Sequence, residues 1–250
     1  MASGEATRQH IKNKLPAIIL DRSGNIRRND IWAYNPIIKY KWDRVSPVNQ
    51  ILSGPGLRPY IASKTAQRWT WRDYSPHPAK LYFDGEETRA SEKAGSGFVV
   101  VEPNIKDKAS PNKNWPRNYW AELIQLLRRN GLRPVQLAPF GAQILNGADV
   151  IDSLDFRMAC SILSRAVTAV LPEGGLHHGA AAVGVPSVVI YGGYISPRQT
   201  GYAMHRNLFT GDEPCGMRYQ CDHCKGAMAR ITPECVMRNV LELIHERKRA

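Results

Sequence analysis

Short apolar runs and amphipathic segments alternate along the chain from residue 98 to its end. Four of the runs predict buried strands: Phe98–Val101, Val135–Ala138, Thr168–Leu171 and Ser187–Tyr191. Strands that are apolar throughout and alternate with helices are typical of a parallel sheet covered on both faces. The pattern therefore predicts an α/β fold with a Rossmann-like parallel sheet in this part of the chain.

Amphipathic segments predict the helices that cover this sheet. One begins at Pro116 and ends before Gly131, and its apolar face consists of Trp120, Leu123, Ile124 and Leu127. Further helices are expected at Phe156–Arg165, Leu176–Val183 and Pro233–Arg247, the last after the N-cap Thr232. The stretch from residue 192 to about 231 is predicted to be a long loop.

The pattern before residue 98 is weaker. Ala17–Leu20 predicts a strand and Ile31–Tyr40 a short helix, after which proline and glycine interrupt the chain repeatedly. We therefore expect two domains, a small irregular α/β domain over residues 1–97 and a larger one over residues 98–250.

The segment Leu171–Gly193 predicts a strand, a glycine turn, a helix and a second strand. Gly174 and Gly175 would let a ligand approach the backbone, and the first amides of a helix carry about half a positive charge. This arrangement favours an anionic ligand. Glycine also serves tight packing in such turns, and the pair His177 and His178 tips the balance towards a ligand.

Composition indicates a globular protein with anionic partners. The 250 residues include 34 Lys and Arg against 22 Asp and Glu, a net charge of +12, which attracts nucleic acid, phosphorylated glycan or acidic lipid. The polar N-terminus lacks the apolar core of a signal peptide, and no stretch approaches the ~20 apolar residues of a membrane span. We expect a soluble, cytoplasmic protein with no transmembrane segment.

Most of this charge lies in the first third of the chain, together with tryptophan. Residues 1–80 carry +9 of the net charge and four of the six tryptophans. Cations beside indole rings grip unpaired bases, and sugar rings also stack on tryptophan. We predict that an anionic acceptor contacts Trp32, Arg68, Trp69, Trp71 and Arg72. The alternative is that these aromatic rings form a small core and the cations its solvated rim.

The cysteines form a separate pattern. Cys221 and Cys224 have the spacing that holds one metal ion, and Cys215 and Cys235 complete a set of four thiolates, with His223 as a spare ligand. The spacing fits structural Zn²⁺ and free thiols equally well, and a reducing cytoplasm disfavours disulfides.

Two stretches of the second half follow a known sequence pattern. The run Glu173, Gly174, Gly175, Leu176, His177 and His178 precedes Gly184-Val185-Pro186, and Lys113-Asn-Trp-Pro116 precedes Trp120. These residues, with the cysteine-rich segment before the last helix, resemble the C-terminal domain of the heptosyltransferase family, glycosyltransferases with the GT-B fold. The resemblance implies that Lys113 and Glu173–His178 bind the diphosphate of a nucleotide sugar. Glu173 replaces the family's Asp, and Gly174 replaces its Ser or Thr.

A fainter match in the first third bears on catalysis. Ala17–Leu20, Asn29-Asp30-Ile31 and Asn35-Pro36 resemble the family's first strand, Gly-Asp loop and proline-containing helix, with Asn29 in place of glycine. The resemblance implies that Asp30 is the general base, which takes the proton of an acceptor hydroxyl during an inverting displacement. An aspartate at a helix start is also a common N-cap.

The resemblance implies a GT-B-like glycosyltransferase that moves a sugar from a nucleotide-diphosphate sugar to a hydroxyl of an anionic acceptor. The default acceptor is a phosphorylated saccharide or lipopolysaccharide core. The basic, tryptophan-rich first third motivates one alternative, DNA with a hydroxylated base as acceptor. The departures at Glu173 and Gly174 motivate another, a non-catalytic nucleic-acid-binding module that has kept the fold. No cofactor is required, because the helix start, Lys113 and a histidine can carry the charge of the leaving diphosphate.

Overall fold

The computed structural model describes residues 1–41, 47–54, 57–106, 110–138, 141–211 and 213–249. The helices are α1 (Ala2–Asn13), α2 (Gly85–Ala94), α3 (Arg117–Arg129), α4 (Phe156–Leu163), α5 (Gly175–Ala182), α6 (Pro197–Thr200), α7 (Asp222–Ala229) and α8 (Pro233–Arg249). The strands are β1 (Ala17–Leu20), β2 (Ile38–Lys39), β3 (Asn49–Leu52), β4 (Ile61–Lys64), β5 (Trp69–Trp71), β6 (Phe98–Val101), β7 (Arg133–Ala138), β8 (Asp149–Asp152), β9 (Thr168–Pro172), β10 (Ser187–Gly192) and β11 (Arg206–Phe209). Short 3₁₀ turns span Asp30–Trp32 and Pro111–Lys113.

The main sheet has six parallel strands in the order β11-β10-β9-β6-β7-β8. The chain starts at β6, winds outwards to β8, then returns to β9 and winds the other way to β11. The direction of winding therefore reverses between β6 and β9, and open α/β sheets bind ligands at the carboxyl ends of the two strands at such a reversal. The predicted Rossmann-like sheet is confirmed.

Helices cover both faces of this sheet, because its strands carry apolar side chains on both sides. In β6, Val99 and Val101 pack towards α3 and α8, whereas Phe98 and Val100 pack towards α2 and α4. The predicted apolar face of α3 is confirmed, since Trp120, Leu123, Ile124 and Leu127 are all buried. Each of the four strands predicted in this part lies within one or two residues of its observed position.

The N-terminal residues form a smaller parallel sheet, in the order β2-β1-β3, against which α1 packs. The predicted helix over residues 31–40 is wrong. Its first residues form a single 3₁₀ turn, Tyr34 takes a positive φ of 61°, and Ile38 pairs with β1. Asn35 accounts for the break, because it precedes a proline and its side chain accepts a hydrogen bond from the amide of Ile37.

Two further differences concern the connections. The predicted loop over residues 192–231 contains α6, β11 and α7, and β11 extends the main sheet. The helix α2 was not predicted, although Asp84 and Glu87 form a capping box at its start. Ala90 and Ala94 of α2 pack against the core of the main sheet, and the expected division of the chain at residue 97 stays a prediction. Within the described residues, no helix has the length and apolar character needed to cross a membrane.

Candidate active site

The glycine turn lies at the carboxyl end of β9, beside the reversal of the sheet. A Cβ atom added to Gly174 or Gly175 would have its nearest neighbour at 3.9 or 3.6 Å, an ordinary contact distance. Tight packing therefore does not explain these two glycines. By contrast, a Cβ on Gly179 of the same helix would lie 2.5 Å from the sulfur of Cys160. The turn is open to a ligand, and the first amides of α5 lack acceptors within the helix.

His177 holds the turn in shape. Its ring is fully buried, its Nδ1 accepts a hydrogen bond from the Gly174 amide at 3.0 Å, and its Nε2 lies 3.0 Å from the Thr200 carbonyl. The ring is therefore neutral with the proton on Nε2, and burial lowers its pKa accordingly. Because both nitrogens are engaged, His177 acts on the backbone of the turn. The nearby Glu173, His177 and His178 thus do not offer three free metal ligands.

His178 is the histidine of the pair that is available to a ligand. It is only partly buried, and its Nδ1 lies 2.8 Å from the hydroxyl of Tyr202, which fixes the ring and leaves Nε2. Burial and the neighbouring His177 lower the pKa of His178 well below its usual value, so that the ring is neutral at pH 7. It can hydrogen-bond a phosphate oxygen, but it adds no positive charge.

The positive charge at the turn comes from Lys113. Its ammonium pairs with the carboxylate of Glu173 and lies 5.4 Å from the ring centre of Tyr194. Burial raises the pKa of Glu173, but the charge and hydrogen bond of Lys113, together with His177 and Thr200, outweigh burial and hold that pKa below its usual value. Glu173 is therefore ionised, and it holds the lysine beside the open helix start.

A buried acid at the end of β6 was not anticipated from the sequence. Glu102 accepts hydrogen bonds from the backbone and side chain of Asn104 at 2.9 and 2.6 Å. Burial raises the pKa of Glu102 to about 7. Glu102 is therefore only partly ionised at neutral pH, whereas Lys113 helps to hold Glu173 ionised.

The predicted acceptor residues lie mainly on the hairpin of β4 and β5. Trp71 stacks on Tyr60 at 6.2 Å and meets the ring edge of Tyr194 at 5.3 Å. Because Tyr194 also lies under Lys113, the hairpin reaches the donor side through a single side chain. Trp69 has three cations close to its ring, at 4.6–5.8 Å from its centre: Arg58, Lys64 and Arg218.

The other acceptor candidates are dispersed. Arg68 donates from Nε to the carbonyl of Cys215 at 2.7 Å, and Arg72 is exposed. Trp32 is instead buried in the small N-terminal core with Ile19 and Ile38, so its ring belongs to that core and not to the hairpin surface. The fourth tryptophan of the first third, Trp42, lies outside the described residues.

Asp30 begins the 3₁₀ turn that follows the N-terminal strand. Asn29, not Asp30, caps this turn, since its side chain accepts a hydrogen bond from the amide of Ile31 at 2.9 Å. The side chain of Asp30 is exposed, and its backbone carbonyl accepts hydrogen bonds from the Ala33 amide and from Arg157, both at 2.9 Å. Capping therefore does not account for the aspartate, which leaves its side chain for chemistry.

The structure groups three of the four predicted cysteine ligands with His223 and places the fourth cysteine elsewhere. Among the described residues, the compact group is Cys215, Cys221, His223 and Cys224, whose ligand atoms lie within 4.8 Å of one another. Cys235 lies instead in the first turn of α8, where its sulfur faces Arg238 and Asn239. The sequence spacing placed Cys235 in the set, whereas the helix start carries it away and the spare ligand His223 takes its place.

This cluster fits a metal ion. The sulfur of Cys215 lies 3.8 Å from that of Cys221, which matches the ~3.8 Å between ligands of a tetrahedral ion with 2.3 Å bonds, and 3.1 Å from that of Cys224, which would have to move apart to hold such an ion. The hydrogen bond from Cys224 lowers the pKa of Cys215 to about 5, so a thiolate is present at neutral pH. Gly193 makes room for the imidazole, because a Cβ there would lie 2.7 Å from His223.

A match to a protein family identifies the family of the chain that carries this site. Residues 72–229 match the family described as Glycosyltransferase family 9 (heptosyltransferase). The chain belongs to glycosyltransferase family 9. The matched segment includes the hairpin's Arg72, Lys113, the glycine turn and the Cys3His cluster. A comparison with curated protein sequences gave no significant match.

Solved structures of bacterial glycosyltransferases share the fold. Heptosyltransferase II of E. coli aligns with a TM-score of 0.52 and 19% identity, over 74% of this chain and 56% of that one. The iron-containing dodecameric glycosyltransferase TibC from enterotoxigenic E. coli aligns with a TM-score of 0.60 and 16% identity, over 97% of this chain and 71% of that one. A family 9 glycosyltransferase of Veillonella parvula aligns with a TM-score of 0.54 and 14% identity, over 98% of this chain and 78% of that one. The predicted GT-B-like α/β fold is confirmed, and this chain spans little more than half the length of heptosyltransferase II.

Several contacts at this family 9 site had no sequence signal. Tyr194 and Arg157 are single residues in unremarkable surroundings, and their roles follow only from tertiary contacts. Arg58 and Lys64 flank the hairpin as two charges among many in a basic region. His223 did have a signal, since it lies within the Cys221–Cys224 spacing.

Proposed function

We propose that this protein transfers a sugar from a nucleotide-diphosphate sugar to a hydroxyl group of an anionic acceptor. One observation carries the proposal. The Lys113 ammonium, paired with Glu173, lies beside the open start of α5, where the winding direction of the main sheet reverses. A diphosphate needs both features, a cation and unpaired amides. TibC has been solved with ADP-D-β-D-heptose, and heptosyltransferase II is an ADP-heptose enzyme, which supports a nucleotide sugar as donor.

The reaction uses the two sides of the site in opposite ways. Asp30 takes the proton of the acceptor hydroxyl as its oxygen attacks the anomeric carbon, and the bond from that carbon to the diphosphate breaks. One such displacement inverts the anomeric centre. The amides of Gly175 and Leu176, Nε2 of His178 and the ammonium of Lys113 receive the charge on the leaving diphosphate. Acceptor-dependent release of nucleoside diphosphate from a panel of nucleotide sugars tests this function.

The hairpin of β4 and β5 is the proposed acceptor side. Arg58, Lys64 and Arg218 lie over the ring of Trp69 and concentrate positive charge on this surface. The phosphate group of a saccharide fits these cations. We therefore propose a phosphorylated saccharide as the acceptor. Neither the family match nor the fold comparisons favour a DNA acceptor or a nucleic-acid-binding module.

Replacing Trp69 with alanine is expected to raise the KM for the acceptor about tenfold, because the ring holds three cations on this surface and a cation–π contact contributes about 0.5–2 kcal/mol. The kcat and the KM for the donor should stay unchanged, since Trp69 contacts Trp71 and not Lys113. Trp69→Phe keeps a ring and should keep most of the affinity. Steady-state kinetics with both substrates varied check this, and an unchanged acceptor KM in Trp69→Ala would place the acceptor elsewhere.

The salt dependence of binding separates the acceptor classes. A phosphorylated saccharide touches few charges, so its affinity should fall only slightly between 50 and 200 mM salt, whereas a polynucleotide that contacts 6–10 phosphates loses about 10³–10⁵-fold. Titration of both ligands at several salt concentrations is the measurement. Tight, steeply salt-dependent DNA binding would contradict the saccharide acceptor.

We also propose that the Cys3His cluster holds a structural Zn²⁺ ion. Three sulfurs and one imidazole are a usual ligand set for structural zinc. The cluster joins the start of α7 to the segment around Cys215, which contacts two parts of the site. Gly216 accepts a hydrogen bond from the Trp69 amide, and Asn112, next to Lys113, donates to the carbonyl of Met217. Because TibC is iron-containing, metal analysis of the purified protein must distinguish zinc from iron.

Cys221→Ser is expected to reduce bound metal from about one equivalent to a small fraction and to lower the Tm by several degrees, because a lost structural metal removes folding free energy. Cys235→Ser is the matched control, since Cys235 lies on α8, and it should keep both metal and Tm. Elemental analysis with thermal unfolding checks this. Metal loss in Cys235→Ser but not in Cys221→Ser would contradict the assigned ligands.

A further inference from the structure

We propose that Arg157 is the positioning residue for Asp30, because it pins the turn that carries this carboxylate to the helix that packs against the donor turn. The proposal rests on the proposed function, in which Asp30 is the base. Arg157 belongs to α4, more than 120 residues from Asp30 in the sequence, and it is 6% exposed.

All five N–H groups of the Arg157 guanidinium have an acceptor. Nε and Nη2 form a bidentate pair with the carboxylate of Glu87 at 2.6 and 2.7 Å. The second hydrogen of Nη2 goes to the carbonyl of Tyr82 at 2.6 Å, and Nη1 donates to the carbonyls of Asp30 and Ile31 at 2.9 and 3.4 Å. One planar group thus joins α2, the segment before it and the 3₁₀ turn.

A buried pair of this kind is costly to form, because both charges lose their hydration and the attraction between them only offsets that loss. Glu87 is itself 7% exposed. The pair is therefore a poor source of net stability, whereas its geometry fixes the two successive backbone carbonyls of Asp30 and Ile31. The bonds reach only the main chain, so that the carboxylate of Asp30 stays exposed for the acceptor.

The helix that carries Arg157 also touches the donor turn. The ring of the preceding residue, Phe156, lies 3.6 Å from the Cβ position of Gly175 and 3.3 Å from that of Gly179. One rigid helix therefore sets the position of the base and of the helix start that receives the diphosphate. Attack in line with the leaving group needs this relation, and a displacement of about 1 Å can cost 10²-fold in rate.

The backbone near Asp30 supports the same conclusion. Tyr34 takes a positive φ of 61°, a conformation that a bulky side chain adopts only under constraint from its surroundings. Its ring lies 5.6 Å from the Arg157 guanidinium, and the ring of Phe83 lies 5.9 Å from the same group. The guanidinium thus holds the turn through ring contacts as well as through hydrogen bonds.

The test compares Arg157→Lys with Arg128→Lys in the full-length protein. Lysine keeps the charge opposite Glu87 but has no planar fork, so it cannot hold both carbonyls and the carboxylate. Arg128 forms an exposed pair with Asp149 and serves as the matched control. We expect amide hydrogen exchange to rise at least tenfold over residues 31–35 in Arg157→Lys alone, with α5 unchanged. The kcat should fall at least thirtyfold while the donor KM stays within twofold.

Each outcome has a definite meaning. Unchanged exchange over residues 31–35, or faster exchange with unaltered kcat, overturns the positioning role. If Arg157→Lys does not fold, Glu87→Gln replaces it, since the amide keeps the shape of the carboxylate and removes the charge that orients the guanidinium. The exchange measurement needs no substrate, so it tests whether Arg157 holds the Asp30 turn even in a protein without activity. A wild-type protein that shows no transferase activity would refute the proposed function separately.

Discussion

Asp30→Asn is expected to lower the rate of sugar transfer by about 10²–10⁴-fold, the usual contribution of a general base. Asparagine has the shape of aspartate but cannot take the proton of the acceptor hydroxyl. The effect should fall on kcat, because the donor turn at Gly174 and Lys113 lies on a different element and keeps its contacts. Single-turnover kinetics together with calorimetric binding of nucleoside diphosphate would separate chemistry from binding.

The neighbouring residue provides the control for this variant. Asn29 supplies the cap of the turn, and Asn29→Ala should therefore cost about 1 kcal/mol of stability, whereas Asp30→Asn should leave the free energy of unfolding almost unchanged. A variant Asp30→Asn that keeps a third or more of the wild-type kcat would contradict the role of this carboxylate as the base.

Lys113→Met is expected to have the largest effect on stability, a loss of about 3–5 kcal/mol at neutral pH, because it leaves the buried carboxylate of Glu173 without its partner. Affinity for a nucleoside diphosphate should fall in the same variant, since the ammonium that pairs with Glu173 at the turn is lost. Urea unfolding and calorimetric binding measure the two effects. The double variant with Glu173→Gln should recover much of the stability but not the affinity.

The stability of the wild type and that of Lys113→Met should change with pH in opposite directions. In the wild type the pKa of Glu173 lies below its usual 4.5, so its contribution is present above that pH and is lost as the pH falls through the lower folded-state value. In Lys113→Met the pKa of Glu173 should rise, because burial is then opposed only by the smaller contributions of His177 and Thr200, so stability should increase as the pH falls from 7.5 towards 5. A variant whose stability is flat over this range would contradict a buried, ion-paired Glu173.

The main sheet was predictable because its signals are local. Runs such as Phe98–Val101 and the apolar face of α3 are dictated by burial on both faces of a sheet and by helical periodicity. The N-terminal part was less so, since Asn35 and Pro36 override the apolar content that favoured a helix there. Short strands such as β2, with two residues, form only through their pairing with a neighbour.

The candidate site likewise has some features that the sequence predicts and others that depend on tertiary contacts. The family pattern located the glycine turn and Lys113, but the pairing of Glu173 with that lysine depends on the meeting of two strand ends. The spacing of Cys221 and Cys224 predicted a cluster, whereas the exclusion of Cys235 depends on where α8 begins. His177 was expected to meet a ligand, and tertiary contacts with Thr200 show that it supports the backbone instead.

Mass spectrometry of an offered acceptor tests the central claim most directly. The wild-type protein, incubated with a panel of nucleotide-diphosphate sugars and phosphorylated saccharides, should add the mass of one sugar to an acceptor, and Asp30→Asn should bind the same nucleotide without forming the product. Binding of a nucleotide sugar with no transfer to any saccharide, or equal product from Asp30→Asn, would contradict a sugar transferase that uses Asp30 beside the Lys113 turn.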